Sequence, residues 1–147
     1  MNILILHGVN LNMFGRRDPA QYGVATLREI NSRLVELARE LKVTVGFFQT
    51  NHEGALVERI HSIPDENVQG VVINAGAWTH YSYAILDALA ILRVPVVEVH
   101  FSNVHARERF RHKSVLAPAC AGSIAGFGVE SYLLGMRAVC GLISSLD

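Results

Sequence analysis

Hydrophobic positions along the chain fall into short β-branched blocks separated by longer amphipathic stretches. Apolar runs at Asn2 to His7, Val43 to Phe48, Val68 to Asn74 and Val94 to His100 read as strands, with a weaker, glycine-flanked one near Ser123 to Ala125. The strongest are apolar at successive positions, so both faces of their sheet need cover. That predicts parallel strands joined by crossover helices. Between them, Leu27, Ile30, Leu34, Leu37 and Leu41 share one helical face, and Thr26 with Glu29 forms a capping box at its start. Further helices are expected at Glu53 to His61, His80 to Leu92 and Val129 to Ser145, with a shorter turn at His105 to Arg111. The pattern is five βα units without an internal linker, a single domain over residues 1–147.

An α/β, doubly wound sheet of five parallel strands commonly takes the order 2-1-3-4-5, with its ligand crevice beyond the carboxyl ends of strands 1 and 3, where the winding reverses. The rule gathers residues that are far apart in the chain. Gly8, Asn10 and Asn12 follow the first strand; Asn74 closes the third, with His80 beyond it; Glu98, His100 and Ser102 close the fourth.

Composition narrows what the crevice holds. The 147 residues, half of them hydrophobic, suffice for one compact core. Thirteen basic and thirteen acidic residues cancel, which removes the electrostatic reason to expect nucleic acid or an anionic membrane as partner and leaves small ligands open. Ile3 to Leu6 is too short for a signal-peptide core and no later run approaches a membrane span, so the expected location is the cytoplasm. Cys120 and Cys140 lack CxxC spacing and are expected as buried free thiols rather than a disulfide, a zinc site or a nucleophile. The chain has no Walker loop, no GxGxxG after a strand and no GxSxG elbow. His52 and Glu53 begin like a zincin motif, but Leu56 stands where the second histidine belongs, so no metal is implied. A phosphoacceptor domain would want acidic residues where this chain has His7 and Gly8.

The connection from Asn10 to Ala25 is long for a βα loop, which points to a functional segment, an active-site lid at about residues 11–25. Arg16 and Asp18 are read as solvated surface groups, Arg17 and Tyr22 as chemistry. A tyrosine is a poor base at the ordinary phenol pKa of about 10 unless positive charge stabilises the phenolate, and arginine supplies that charge permanently. Arg107 and Arg111, four residues apart, would share a face of a helical turn while Arg109 points away; the pair suits either an anion or a phenolate. Glu98 and His100 stand two apart on a strand, hence on one face, where a carboxylate can orient an imidazole as a general acid. His7, His52, His61, His105 and His112 are left to structural roles. The same crevice also suits a non-catalytic module that binds an anionic metabolite or a flavin phosphate, and such a module needs no Tyr22.

The segments GVNLNMFGRRDPAQYG, INAGAWTHYS, EVHFSNVHARERFR and GFGVESYLLGM, in this order across nearly the whole chain, resemble the type II dehydroquinases. The resemblance implies a flavodoxin-like fold and trans-elimination of water from 3-dehydroquinate through an enolate, without a cofactor. It implies Tyr22 as base with Arg17 and Arg107 beside it, Asn10 positioning a water that holds the enolate, and His100 as acid oriented by Glu98. It further implies Asn74, Ser102 and nearby backbone amides on the substrate carboxylate. Phe101 is expected at the substrate, His80 and Arg111 at its ring hydroxyls, and Asp87 reaching in from a neighbouring subunit of a homododecamer built from trimers. The family usually has proline before the asparagine matching Asn10; this chain has Val9, without proline's fixed torsion. The unrelated type I enzymes use a lysine Schiff base, for which Lys42 and Lys113, the only lysines, are poorly situated.

Overall fold

A computed structural model describes residues 1–146. Its five strands are β1 (Asn2–His7), β2 (Thr44–Gln49), β3 (Gly70–Asn74), β4 (Val96–His100) and β5 (Gly122–Ala125). They form one parallel sheet in the order β2-β1-β3-β4-β5. The α-helices are α1 (Pro19–Tyr22), α2 (Leu27–Leu41), α3 (Glu53–Ser62), α4 (Tyr83–Leu89) and α5 (Val129–Ser144).

The alternation of side chains along each strand divides the core into two layers. Ile3 and Ile5 of β1, with Val72, Val97 and Val99, pack under Leu34 of α2 and Met136 of α5. Leu4 and Leu6, with Val71, Ile73 and Val96, pack under Leu56 and Ile60 of α3 and Ile85 and Leu89 of α4. Burial of both faces is why the central strands β1, β3 and β4 are so largely apolar. Helix α5 lies so close to the sheet that a Cβ on Gly135 would come within 2.5 Å of Val99 Cγ1.

The predicted capping box is present: Thr26 Oγ1 accepts from the Glu29 amide at 3.2 Å and Glu29 Oε2 accepts from the Thr26 amide at 3.0 Å. Three expectations need correction. The segment His80 to Leu92 is not one helix: a 3₁₀ segment, Gly76–His80, precedes α4, and Ser82 caps the break by accepting from the Ile85 amide at 3.1 Å. The turn expected at His105 to Arg111 is two 3₁₀ turns, Val104–Ala106 and Arg109–His112, with Arg107 extended between them, so Arg107 and Arg111 do not share a helix face. The loop after β1 carries α1, begun by Pro19 and capped by Asp18, whose carboxylate accepts from the Ala20 amide at 3.0 Å.

Candidate active site

The carboxyl ends of β1, β3 and β4 lie side by side, and the backbones beyond them approach closely. The Gly8 amide donates to the Asn74 carbonyl at 2.7 Å, and a Cβ at Gly8 would fall 2.3 Å from the Ala75 carbonyl oxygen. Asn10 and Gly76 both turn through positive φ, 66° and 62°. Over this junction opens a cavity lined by residues from three segments, among them Arg17, Tyr22, Asn74, His80, His100 and Arg107. Phe101, Ser102 and Arg111 complete the part of the wall that the sequence anticipates.

Tyr22, at the end of α1, is 8% exposed, with its ring against Phe14, which in turn packs on Phe101. Its phenol oxygen accepts from Arg17 Nη2 at 2.9 Å and Arg107 Nη1 at 2.7 Å, and the Arg17 guanidinium lies 3.8 Å from the ring centroid. Two charge-assisted donors thus converge on one buried oxygen. Burial, with Arg107 and Arg111 pushing the same way, holds the Arg17 guanidinium below its ordinary pKa, while Tyr22 opposes the shift; an arginine so placed keeps its charge. Arg107 Nη1 also donates to Ser102 Oγ at 3.0 Å. Its Nε is buried without a partner among the described residues, an unspent donor.

On the β4 side, His100 Nε2 meets Glu98 Oε1 at 2.9 Å, leaving Nδ1 as the other ring nitrogen. Glu98 is fully buried and lies behind His100 rather than on the wall of the cavity. His80 stacks beside His100 with ring centroids 6.3 Å apart. Its Nδ1 is 2.8 Å from the Lys113 carbonyl, which can only accept, so the proton of the neutral ring sits there and Nε2 is bare. Burial is the main cause lowering the pKa of His80. Arg111 is paired with Glu108, and that contact holds the Glu108 carboxyl below its usual range.

Asn74 is held by a network that the sequence did not reveal. Its Oδ1 accepts from the Gly76 amide at 3.1 Å and its Nδ2 donates to the Tyr132 hydroxyl of α5 at 2.9 Å. That hydroxyl faces His7 Nδ1 at 3.4 Å, and His7 Nε2 meets Asn31 Oδ1 of α2 at 2.9 Å. Burial lowers the His7 pKa to about 4, so the ring is neutral and Nδ1 is free to accept. Burial raises that of Tyr132, which remains a phenol. Tyr132 lies within a helix whose spacing marks it only as core, and His7 ends a strand as one more buried position. Only the register of β1 beside β3, which pairs His7 with Asn74, brings the two together.

Besides Glu98, two predicted residues stand apart from the cavity of this chain. Asn10 is exposed at the start of a 3₁₀ turn, its amide donating to Asn51 Oδ1 at 2.8 Å. Asp87 is exposed on α4. Cys120 and Cys140 are free thiols, and burial pushes Cys120 up to about 12 and Cys140 above its usual value. Neither lysine lines the cavity.

Comparison with known proteins agrees with this geometry. The sequence model of the family described as Dehydroquinase class II matches residues 1–140. The chain is 61% identical to a 3-dehydroquinate dehydratase of Leptothrix cholodnii, over 99% of this chain and 97% of the relative. It is 63% identical to one of Syntrophotalea carbinolica, over 96% and 95%. A type II dehydroquinase crystal structure from Butyrivibrio crossotus superposes with a TM-score of 0.93 at 40% identity, covering 95% of this chain and 97% of that one.

Proposed function

The chain belongs to the class II dehydroquinases, and from that premise we infer which of its residues carry the reaction. It is a hydro-lyase of the shikimate pathway that dehydrates 3-dehydroquinate. The substrate has a C3 ketone, a C2 methylene and a C1 hydroxyl. Removal of a C2 proton gives an enolate, whose collapse forms the C1–C2 double bond, restores the ketone and expels the hydroxyl as water once it has received a proton.

Tyr22, as phenolate, is the base that takes the C2 proton, with Arg17 and Arg107 holding the negative charge before the transfer. The observation that carries this assignment is the pair of guanidinium donors, 2.9 and 2.7 Å from one buried phenol oxygen. His100 is the acid for the C1 hydroxyl, and the Glu98 carboxylate at 2.9 Å supports a ring protonated on Nε2, with Nδ1 to deliver the second proton. Asn10, which begins the turn after β1, positions the water that receives the enolate oxygen. Asn74, Ser102 and the adjacent amides take the carboxylate, His80 and Arg111 the ring hydroxyls, and Phe101 packs beside them; all but the amides line one cavity.

The segment at about 11–25 acts as the lid, and residues 1–147 as one catalytic domain. The assembly is a homododecamer of trimers in which Asp87 enters a neighbour's cavity. Its exposure on α4, beside exposed Tyr81, Tyr83 and Ile91, supports that role. Two unpaired cysteines suit the reducing cytoplasm as the compartment.

Tyr22→Phe keeps the ring and loses only the proton acceptor, so turnover is expected to fall by at least about 100-fold with substrate still bound. The rise in absorbance of the enone product measures turnover, and calorimetric titration measures binding. Substantial activity would remove Tyr22 as base. Activity of the unaltered protein that survives borohydride treatment in the presence of substrate would exclude a lysine Schiff base.

A further inference from the structure

We propose that Ser114 is a positioning residue for this reaction, fixing the Glu98 carboxylate and through it the His100 ring; the inference rests on reading His100 as the acid. Glu98 is fully buried on β4, where a carboxylate is tolerated only if donors satisfy its oxygens. Besides His100, the side chain that reaches it is Ser114. Its Oγ lies 2.7 Å from Oε1 and 3.0 Å from Oε2. The same Oγ accepts from the amides of Leu116 at 3.2 Å and Ala117 at 3.0 Å. Those two bonds occupy the lone pairs of the hydroxyl, so its hydrogen points at the carboxylate, and they polarise it into a better donor.

The neighbours of Ser114 act in the same direction. The Lys113 carbonyl accepts from His80 Nδ1 at 2.8 Å, and the Val115 amide donates to the Thr79 carbonyl at 2.8 Å. Three consecutive residues thus tie down both imidazoles, whose planes lie within 20° of each other. Ser114 itself does not line the catalytic cavity, so its effect on the reaction passes through Glu98. Without its hydroxyl, the carboxylate keeps, among the described residues, only the His100 partner and is free to rotate about its own bonds. The nitrogen that must face the departing hydroxyl then loses its fixed direction.

The competing role is that Ser114 merely caps the 3₁₀ turn Ala117–Ala119, and the two roles separate by step. In the full chain, Ser114→Ala, Ser114→Thr, His100→Ala and the Ser114→Ala/His100→Ala double variant are compared by enone absorbance. The C2 proton exchange of 3-dehydroquinate in deuterated solvent is followed by NMR. Loss of a hydrogen bond to a charged group predicts a kcat about 10- to 100-fold lower for Ser114→Ala, with KM and C2 exchange within about twofold of the unaltered protein. Ser114→Thr keeps most of the turnover, and the double variant is no slower than His100→Ala. Equal losses of exchange and dehydration, or additive losses in the double variant, would make Ser114 a structural cap and overturn the proposal. Unchanged kcat in Ser114→Ala beside a disabled His100→Ala would overturn it while leaving the acid assignment standing. Full turnover in His100→Ala would instead remove the reading beneath it. If Ser114→Ala does not fold, Ser114→Cys, with similar volume and a weaker donor, takes its place in the same comparison.

Discussion

Two buried tyrosines serve the crevice through opposite hydrogen-bond polarity. The Tyr22 oxygen receives two guanidinium donors, whereas the Tyr132 oxygen receives the Asn74 amide and offers its own proton to His7. The second arrangement needs a neutral imidazole, and burial supplies one by lowering the His7 pKa to about 4. The unfolded chain takes up a proton on His7 near the ordinary pKa of about 6.5, and the folded chain only near 4. His7 therefore favours folding fully above the first value, and that contribution is lost as pH falls through the window to the second, at up to about 1.4 kcal/mol per pH unit. His7→Asn keeps polar atoms near Tyr132 but does not titrate. Its urea midpoint should fall less than that of the unaltered protein between pH 7 and pH 4.5; equal falls would contradict the shift.

At the scale of elements, the segment between β1 and α2 has to deliver Arg17 and Tyr22 to one point. It does so through α1, whose end is fixed by Gly23 at φ 60° and ψ −157°, a combination that residues with a Cβ scarcely adopt. Space is not the obstacle, since an added Cβ would meet only Phe101 atoms at 3.6 Å or more. Gly23→Ala is therefore expected to lower kcat/KM by roughly tenfold or more through a misdirected Tyr22, and its backbone strain of about 1–3 kcal/mol to lower Tm by several degrees. Kinetics beside a thermal melt will check this, and unchanged kinetics would show that the turn is not needed to aim the ring. The same segment marks the limit of what the sequence conveyed. Apolar blocks and the Thr26–Glu29 box made the sheet and α2 legible, because burial and capping leave local signatures. Helix α1 is four residues long and has no face to bury as a stripe, and the extended Arg107 between two 3₁₀ turns is set by contacts rather than propensity. The crevice rule found Asn74, His80, His100 and Ser102 because strand ends are readable. Ser114 and Tyr132 escaped because their importance lies in what they touch from elsewhere in the chain.

For the whole molecule, the exposed Tyr81, Tyr83 and Ile91 and the nearby Asp87 form the surface through which the expected trimer would complete each cavity. Asp87→Ala should leave the urea midpoint of the single chain nearly unchanged while lowering activity about tenfold or more, as loss of a charged contact at a substrate group does. Light scattering and enone absorbance followed together at rising dilution should then show activity falling as the assembly comes apart. A fully active monomer would end the shared-site reading. Within one chain, the order of parts along the sequence has a consequence in time. The last residue of the cavity wall is Arg111, but the hydroxyl that clasps Asn74 belongs to α5, and so does the layer over Val72, Val97 and Val99. A chain leaving the ribosome therefore carries every wall residue before it owns the clasp, with α2 over its own part of that sheet face but Val72, Val97 and Val99 still without the cover of α5. Until α5 docks, the nascent chain holds its wall residues in sequence with Asn74 unclasped and part of its sheet uncovered, so the last helix made is the one that finishes both the core and the floor of the site.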